Sequence, residues 1–291
     1  MKKATTMKKA TTMKKANLIV DVERCHDCCN CFLSCKDEYW DNDHLPFSAS
    51  QPRMGHKWID VLYAERGQYP LQDVCSVPYP CMHCDDAPCV KAAKDGAIYK
   101  REDGIVIIDP VKAKGQKNLV NSCPYKVIFW NEESQLPQKC TMCAHLLDAG
   151  TWKEPRCTFA CPTGSLTFLW ATDKEMAKKV KAESLEYLHP EYGTKPRVWY
   201  KNLYRFIKCH VAGSVELHDK KECADGAKVT LTHTATNKSW KTVTNNYGDF
   251  KFDNLEDNSG KYKLEIEFQG RKKETQVIDL KTSINVGTIF L

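Results

Sequence analysis

Twelve cysteines between residues 25 and 161 fall into groups with short, fixed spacings, and any fold of this chain must bring those groups together. CHDCCNCFLSC places Cys25, Cys28, Cys31 and Cys35 in a C-x2-C-x2-C-x3-C run. CMHCDDAPC supplies Cys81, Cys84 and Cys89, and a lone Cys123 precedes Pro124. KCTMC and RCTFACP supply Cys140, Cys143, Cys157 and Cys161. Runs of this kind point to [4Fe–4S] ligation. A cubane cluster needs a soft thiolate on each of four irons. A tight loop with two-residue separations presents three, and a distant part of the chain supplies the fourth.

In two-cluster ferredoxins the fourth cysteine of each run ligates the other cluster. That rule assigns Cys25, Cys28, Cys31 and Cys161 to one cluster, and Cys140, Cys143, Cys157 and Cys35 to a second. It also accounts for an apparent defect. The second run lacks a cysteine at Ala93, and DPVKAKGQKNLVNSCP fits a third run with Ala113, Gln116 and Leu119 at its first three ligand positions. Under crossed ligation these four empty positions belong to a single cluster. Cys81, Cys84, Cys89 and Cys123 complete the partner cluster, so the expectation is three clusters, with one whole cluster lost.

Zinc is the competing reading, because a C-x2-C pair is also a common zinc half-site. The length of the first run, the two Cys-Pro terminators and the pairwise bookkeeping favour iron–sulfur. Cys29 competes with Cys28; the two-residue spacing assigns the position to Cys28 and leaves Cys29 a bystander. Cys75 also falls outside the pattern. His26 and His83 sit inside ligand loops and are expected to be hydrogen-bond donors or exposed residues, not ligands.

The chain has 291 residues, sixteen cysteines and a formal charge of +6. A disulfide framework belongs to short secreted chains and does not suit this one. The basic excess invites a nucleic-acid partner. Three thiolate-held clusters contribute about −6, however, which makes the excess compensation for bound anions. No nucleic-acid partner is expected, and no apolar stretch is long enough for a membrane span. The opening MKKATTMKKATTMKKA offers Met1, Met7 and Met13 as starts and lacks an apolar signal core. Residues 1–16 are expected to be a disordered leader, and the protein to be cytoplasmic, export with a signal-bearing partner remaining open.

Residues 17–170 read as an α+β, ferredoxin-like cluster domain of two bacterial-ferredoxin-type modules. Residues 171–210 read as a helix and a covering segment. Thr172-Asp173-Lys174-Glu175 is a capping box, Met176, Val180, Leu185 and Leu188 follow at roughly helical spacing, and His189-Pro190 ends the helix. PRVWYKNLYRF is expected to be a strand. From 211 to 291, alternation in VAGSVEL, AKVTLTH, KYKLEIEF and INVGTIF predicts about seven short strands in a small antiparallel sandwich. GDFKFDNL and AKVTL resemble transthyretin-like or carboxypeptidase-regulatory-like immunoglobulin-type modules. Cys209 and Cys223 flank the first strand and are read as unpaired thiols in a reducing compartment.

GIVIIDP, CPYKVIFWNEE, QKCTMCAHLL and CPTGSLTF make residues 17–205 resemble the four-cluster ferredoxin-type small subunits of molybdenum enzymes in the dimethyl sulfoxide reductase superfamily. One cluster is missing and a β-sandwich replaces the membrane anchor. Both departures resemble the pyrogallol–phloroglucinol transhydroxylase branch. The resemblance implies a heterodimer whose large catalytic subunit carries a molybdenum bis-pterin guanine dinucleotide and moves hydroxyl groups between polyhydroxybenzenes. The chain itself supplies no nucleophile, acid–base pair or substrate pocket. Electron transfer for another soluble molybdenum oxidoreductase, a free-standing ferredoxin, and a zinc-dependent nucleic-acid module are the alternatives.

Overall fold

The computed structural model describes residues 13–274 and 277–291, and the chain separates into two compact units. The first comprises residues up to Leu62 together with Ser76–Leu203. Its sheet is centred on β1 (Lys15–Asp21). The Ala16–Val20 run is buried without interruption, as a strand flanked on both sides requires. On one side β8 (Leu166–Ala171) pairs antiparallel, with Ile19 opposite Thr167; on the other β9 (Val198–Lys201) pairs parallel, with Leu18 opposite Val198. The leader expected over residues 1–16 is therefore corrected at its end, since Lys15 and Ala16 belong to this strand and Ala16 is buried. The rest of that expectation, residues 1–12, lies outside the described residues.

Short elements make up the chain between β1 and β8. The helix Asn30–Tyr39 buries Cys31, Cys35 and Tyr39, successive i,i+4 positions on one face. It packs against the four-residue helix Arg156–Phe159, and the Ser34 hydroxyl donates to the Arg156 carbonyl at 3.4 Å. Pro88–Ala92 forms a one-turn helix, and a 3-10 turn covers Lys117–Ser122. Two hairpins, β4 (Ile98–Lys100) with β5 (Val106–Ile108) and β6 (Phe129–Asn131) with β7 (Leu136–Gln138), carry the chain between cysteine groups.

The capping box forms as its sequence requires. The Glu175 backbone N–H donates to Thr172 Oγ1 at 3.2 Å, and Thr172 N–H donates to Glu175 Oε2 at 2.8 Å. The helix ends sooner than expected, running only Asp173–Glu183. Ser184 adopts a left-handed φ of 52°, and Glu186 then exchanges backbone bonds with Tyr200. Leu185 and Leu188 are buried, but from beyond the helix. PRVWYKNLYRF likewise gives strand only over Val198–Lys201, and Tyr204–Ile207 is a single helical turn.

The second unit comprises Tyr63–Cys75 and Tyr204–Leu291. One sheet holds β10 (Cys209–Leu217), β11 (Glu222–Cys223), β14 (Asp249–Leu255) and β18 (Ile284–Phe290). The other holds β12 (Lys228–His233), β13 (Ser239–Val243), β15 (Gly260–Phe268), β16 (Arg271–Glu274) and β17 (Ile278–Leu280). Inward residues of both, among them Val211, Phe252, Leu231 and Leu264, form one core, so the unit is a β-sandwich. The sheets hold nine strands among the described residues, and β18 pairs with β10 in parallel. The sequence suggested about seven, all antiparallel. β11 and β17 are only two and three residues long, too short for alternation to register.

The hairpin of β2 (Ile59–Gln68) and β3 (Leu71–Pro80) gives its outer part, Tyr63–Cys75, to this unit. Arg66, nearly buried, donates to Asp73 Oδ2 at 2.6 Å and to Asp253 Oδ1 at 2.8 Å, while Arg205 donates to Asp73 Oδ1 at 2.7 Å. Burial would raise the Asp73 carboxyl, but hydrogen bonds from Arg205, Arg66 and Lys251 outweigh it and hold the group far below the usual range. Arg66→Met is expected to destabilise this unit by about 3 kcal/mol, because both carboxylates lose a buried partner. The folded pKa of Asp73 lies below its unfolded value of about 3.9. Its contribution is therefore full above about pH 5 and lost as the solution is acidified further. Melting curves of the full chain should fall between about pH 5 and pH 2, and fall less in Arg66→Met. Equal pH dependence in both proteins contradicts this account.

Candidate metal centres

Three sets of four cysteines come together in the first unit. Cys35, Cys140, Cys143 and Cys157 line one cavity, walled by apolar Leu18, Ile59 and Pro80. Cys81, Cys84, Cys89 and Cys123 line another, with Val106 and Ile128. Cys25, Cys28 and Cys161 lie close enough to Cys31 to press on its thiol, which burial first and these neighbours next raise to about 12.

The helices explain why neighbours in sequence part company. Cys31 and Cys35 share one face of a helix but lie a turn apart, about 6 Å along the axis. Cys31 therefore meets Cys25 and Cys161, while Cys35 meets Cys140 and Cys143. Cys157 lies in the helix Arg156–Phe159 and Cys161 just beyond its end. In the other half, Cys89 and Ala93 are an i,i+4 pair, as are Leu119 and Cys123. Cys89 and Cys123 meet in the second cavity. Ala113 and Leu119 are fully buried, so buried apolar side chains stand at two of the four positions that lack cysteine. Gln116 turns back, its Nε2 donating to the Lys112 carbonyl at 2.8 Å.

The ligand loops share a backbone device. Asp27, His83, Met142 and Cys143 all have positive φ, between 43° and 55°. Each such residue costs about 1 kcal/mol or more, and a right-handed/left-handed succession turns backbone N–H groups toward a common anion. Met142 N–H donates to Cys140 Sγ at 3.3 Å, and Gln51 Nε2 reaches Cys35 Sγ at 3.9 Å.

The donor chemistry fits the group the spacing implies. Burial drives the Cys140 thiol to about 12 and pushes Cys35 and Cys157 up strongly, each with further thiols adding to the effect. Four thiolates gathered out of water need cations among them, and iron supplies these. Cys161 is the exception. Burial raises it, but backbone N–H groups of Leu166, Ser165 and Thr163 and the Thr163 hydroxyl bring it below the ordinary thiol value.

The quartets are also neighbours. Cys157 feels Cys31 of the first set, and Cys140 feels Cys81 of the third. The set containing Cys140 thus neighbours each of the other two.

Cys29 stays outside the quartets, at the left-handed N-cap of Asn30–Tyr39, with its thiol toward Asp27 Oδ1 at 3.7 Å. Cys75 is buried in the second unit. Cys209 is buried too, its thiol donating to the Leu255 carbonyl at 3.4 Å, and Cys223 is exposed. No disulfide joins any of the sixteen. His26 is exposed, whereas His83 is wholly buried. His83 Nδ1 accepts from the Val106 N–H at 3.0 Å, leaving the proton on Nε2. Burial, with Lys139 and Lys100 nearby, keeps this imidazole neutral.

Sequence reasoning made nothing of two features. Glu38, His44 and His145 bring potential ligand atoms within 4.8 Å of one another, but Arg156 already holds Glu38 Oε2 at 3.0 Å. The other is Lys139, buried and lining the cavity of Cys81, Cys84, Cys89 and Cys123. Its only sequence signal is its place directly before Cys140.

Comparison with known proteins agrees with this architecture. Residues 72–170 match the 4Fe-4S dicluster domain, and residues 210–287 match the carboxypeptidase regulatory-like domain. The chain is 48% identical to the pyrogallol hydroxytransferase small subunit of Pelobacter acidigallici, over 94% of this chain and 98% of the relative. It is 31% identical to a tetrathionate reductase subunit of Salmonella typhimurium, over 64% of this chain and 72% of the relative. The arsenate respiratory reductase iron–sulfur subunit of a Shewanella species is 27% identical, over 63% of this chain and 94% of the relative. No helix among the described residues is long and apolar enough to cross a membrane. The chain belongs to the family of the pyrogallol hydroxytransferase small subunit, among the ferredoxin-type iron–sulfur electron-transfer subunits of the dimethyl sulfoxide reductase superfamily.

Proposed function

We propose that this chain holds three [4Fe–4S] clusters, and that it serves a large subunit carrying molybdenum bis-pterin guanine dinucleotide. The ligands are Cys25, Cys28, Cys31 and Cys161; Cys140, Cys143, Cys157 and Cys35; and Cys81, Cys84, Cys89 and Cys123. The observation that carries this reading is the gathering of twelve cysteines into three sets of four. When bound, such clusters accept and release single electrons. The protein's part is to fix the thiolates, to exclude water with Leu18, Tyr39, Ile59 and Pro80, and to direct N–H groups at sulfur. Every cluster iron is thiolate-ligated, so none offers an open position for substrate.

The substrate class follows from the name of the 48% identical relative: hydroxyl transfer between polyhydroxybenzenes, performed in the large subunit. Sixteen cysteines without a disulfide suit a reducing cytoplasm. Co-expression of this chain with its large subunit tests the reading. The complex should contain molybdenum and convert pyrogallol to phloroglucinol when a tetrahydroxybenzene co-substrate is added, and this chain alone should be inactive. Turnover by the isolated chain overturns the proposal. Activity of the complex on a different substrate, as names such as tetrathionate reductase suggest for more distant relatives, removes only the substrate.

A further inference from the structure

Lys139 is a buried ammonium without a carboxylate. The residue is 2% exposed, its Nζ donates to the Val106 carbonyl at 2.5 Å and the Cys140 carbonyl at 3.0 Å, and no ion pair is found for it among the described residues. Lys100 makes the contrast. It too donates to backbone carbonyls, those of His83, Cys84 and Gly104, but it also pairs with Asp85 at 3.0 Å. Two neutral carbonyls do not offset the desolvation of a full charge, which costs several kcal/mol unless an anion lies close.

The anion is indicated by what surrounds Lys139. Its side chain lines the cavity of Cys81, Cys84, Cys89 and Cys123. It precedes Cys140 of the neighbouring set in sequence, and its ammonium is held on the Cys140 carbonyl. Two of its three N–H donors are taken by carbonyls, which fixes the ammonium where it stands.

We propose that Lys139 is the counter-charge of the cluster held by Cys81, Cys84, Cys89 and Cys123, and that it sets this cluster's reduction potential above the value its thiolates alone would give. Reduction adds one negative charge to the cluster, and a fixed cation in a dry site stabilises the reduced form more than the oxidised one. The neighbouring cluster, through Cys140, feels the same charge more weakly. The cluster held by Cys25 is remote from it.

The inference rests on the three-cluster reading, which the iron content of the wild-type complex tests separately. Its own test is a redox titration of the complex followed by electron paramagnetic resonance, with Lys139→Gln and Lys139→Met. Glutamine keeps donors for the carbonyls and removes only the charge. Both variants are expected to shift the midpoint of this cluster negative by at least a tenfold change in the reduced-to-oxidised ratio, about 59 mV for a one-electron couple. The Cys140 cluster should shift less and the Cys25 cluster not at all. Loss of this cluster alone from Lys139→Gln supports the same charge requirement. Unchanged potentials, an equal shift of all three clusters, a normal potential in Lys139→Gln beside a shifted one in Lys139→Met, or loss of every cluster in both variants overturns the proposal.

Discussion

Cys35→Ala is expected to empty the site of Cys140, Cys143 and Cys157, more than a hundred residues away, and to leave the site of its sequence neighbours Cys25, Cys28 and Cys31 loaded. The reason is one helical turn. A rise of about 6 Å over four residues separates Cys31 from Cys35 while both keep the same buried face, so one helix serves two cavities. Alanine is preferred to serine because a hydroxyl can stand in for a thiolate. Iron content should fall by about a third, by about four of twelve atoms. Paired variants identify which four. Adding Cys140→Ala to Cys35→Ala should remove nothing further, since both act on one cluster. Adding Cys25→Ala should remove about four more, since separate sites are additive. Additivity with Cys140→Ala and none with Cys25→Ala would mean that each run keeps its own fourth cysteine.

Cys123→Ala should be equally selective. Cys123 lies beyond a hairpin and a 3-10 turn from Cys89, yet lines the same cavity as Cys81, Cys84 and Cys89. Its loss strips that cluster of its only ligand from this part of the chain, because Ala113, Gln116 and Leu119 provide no thiolate. The variant should lose about four irons and retain the signals of the other two clusters. The sandwich should still melt at its wild-type temperature, because it has its own core and no cysteine of these quartets. Loss of signal from the Cys25 or Cys140 sites instead would show the pairing to be misassigned.

Within each cysteine run the spacing is local information, whereas the grouping of Cys35 with Cys140 and of Cys89 with Cys123 was proposed from the crossed-ligation rule. Two-residue spacings define a loop, and i,i+4 pairs define the faces of short helices. The sandwich was legible for a similar reason, since residues such as Val229, Leu231, Leu264 and Ile266 alternate along long strands. What could not be read depends on tertiary contact. Nothing near Ser184 announces that Glu186 will pair with Tyr200 and end the helix early. Arg66 and Asp253 are 187 residues apart, so the hairpin's membership of the sandwich unit left no local trace. Residues 1–16 looked like one repeat, but the strand takes Lys15 and Ala16 because the apolar run they open is central in its sheet. Lys139 reads as an ordinary polar residue until its burial and its lack of a carboxylate are seen together.

Metal content of the anaerobically purified complex bears most directly on the central claim. Iron quantitation with spin counting should give about twelve iron atoms in three [4Fe–4S] clusters per copy of this chain, and no stoichiometric zinc. About sixteen would mean that a fourth cluster forms with ligands other than cysteine near Ala93, Ala113, Gln116 and Leu119; about eight, or zinc in place of iron, would contradict the assignment of the three quartets.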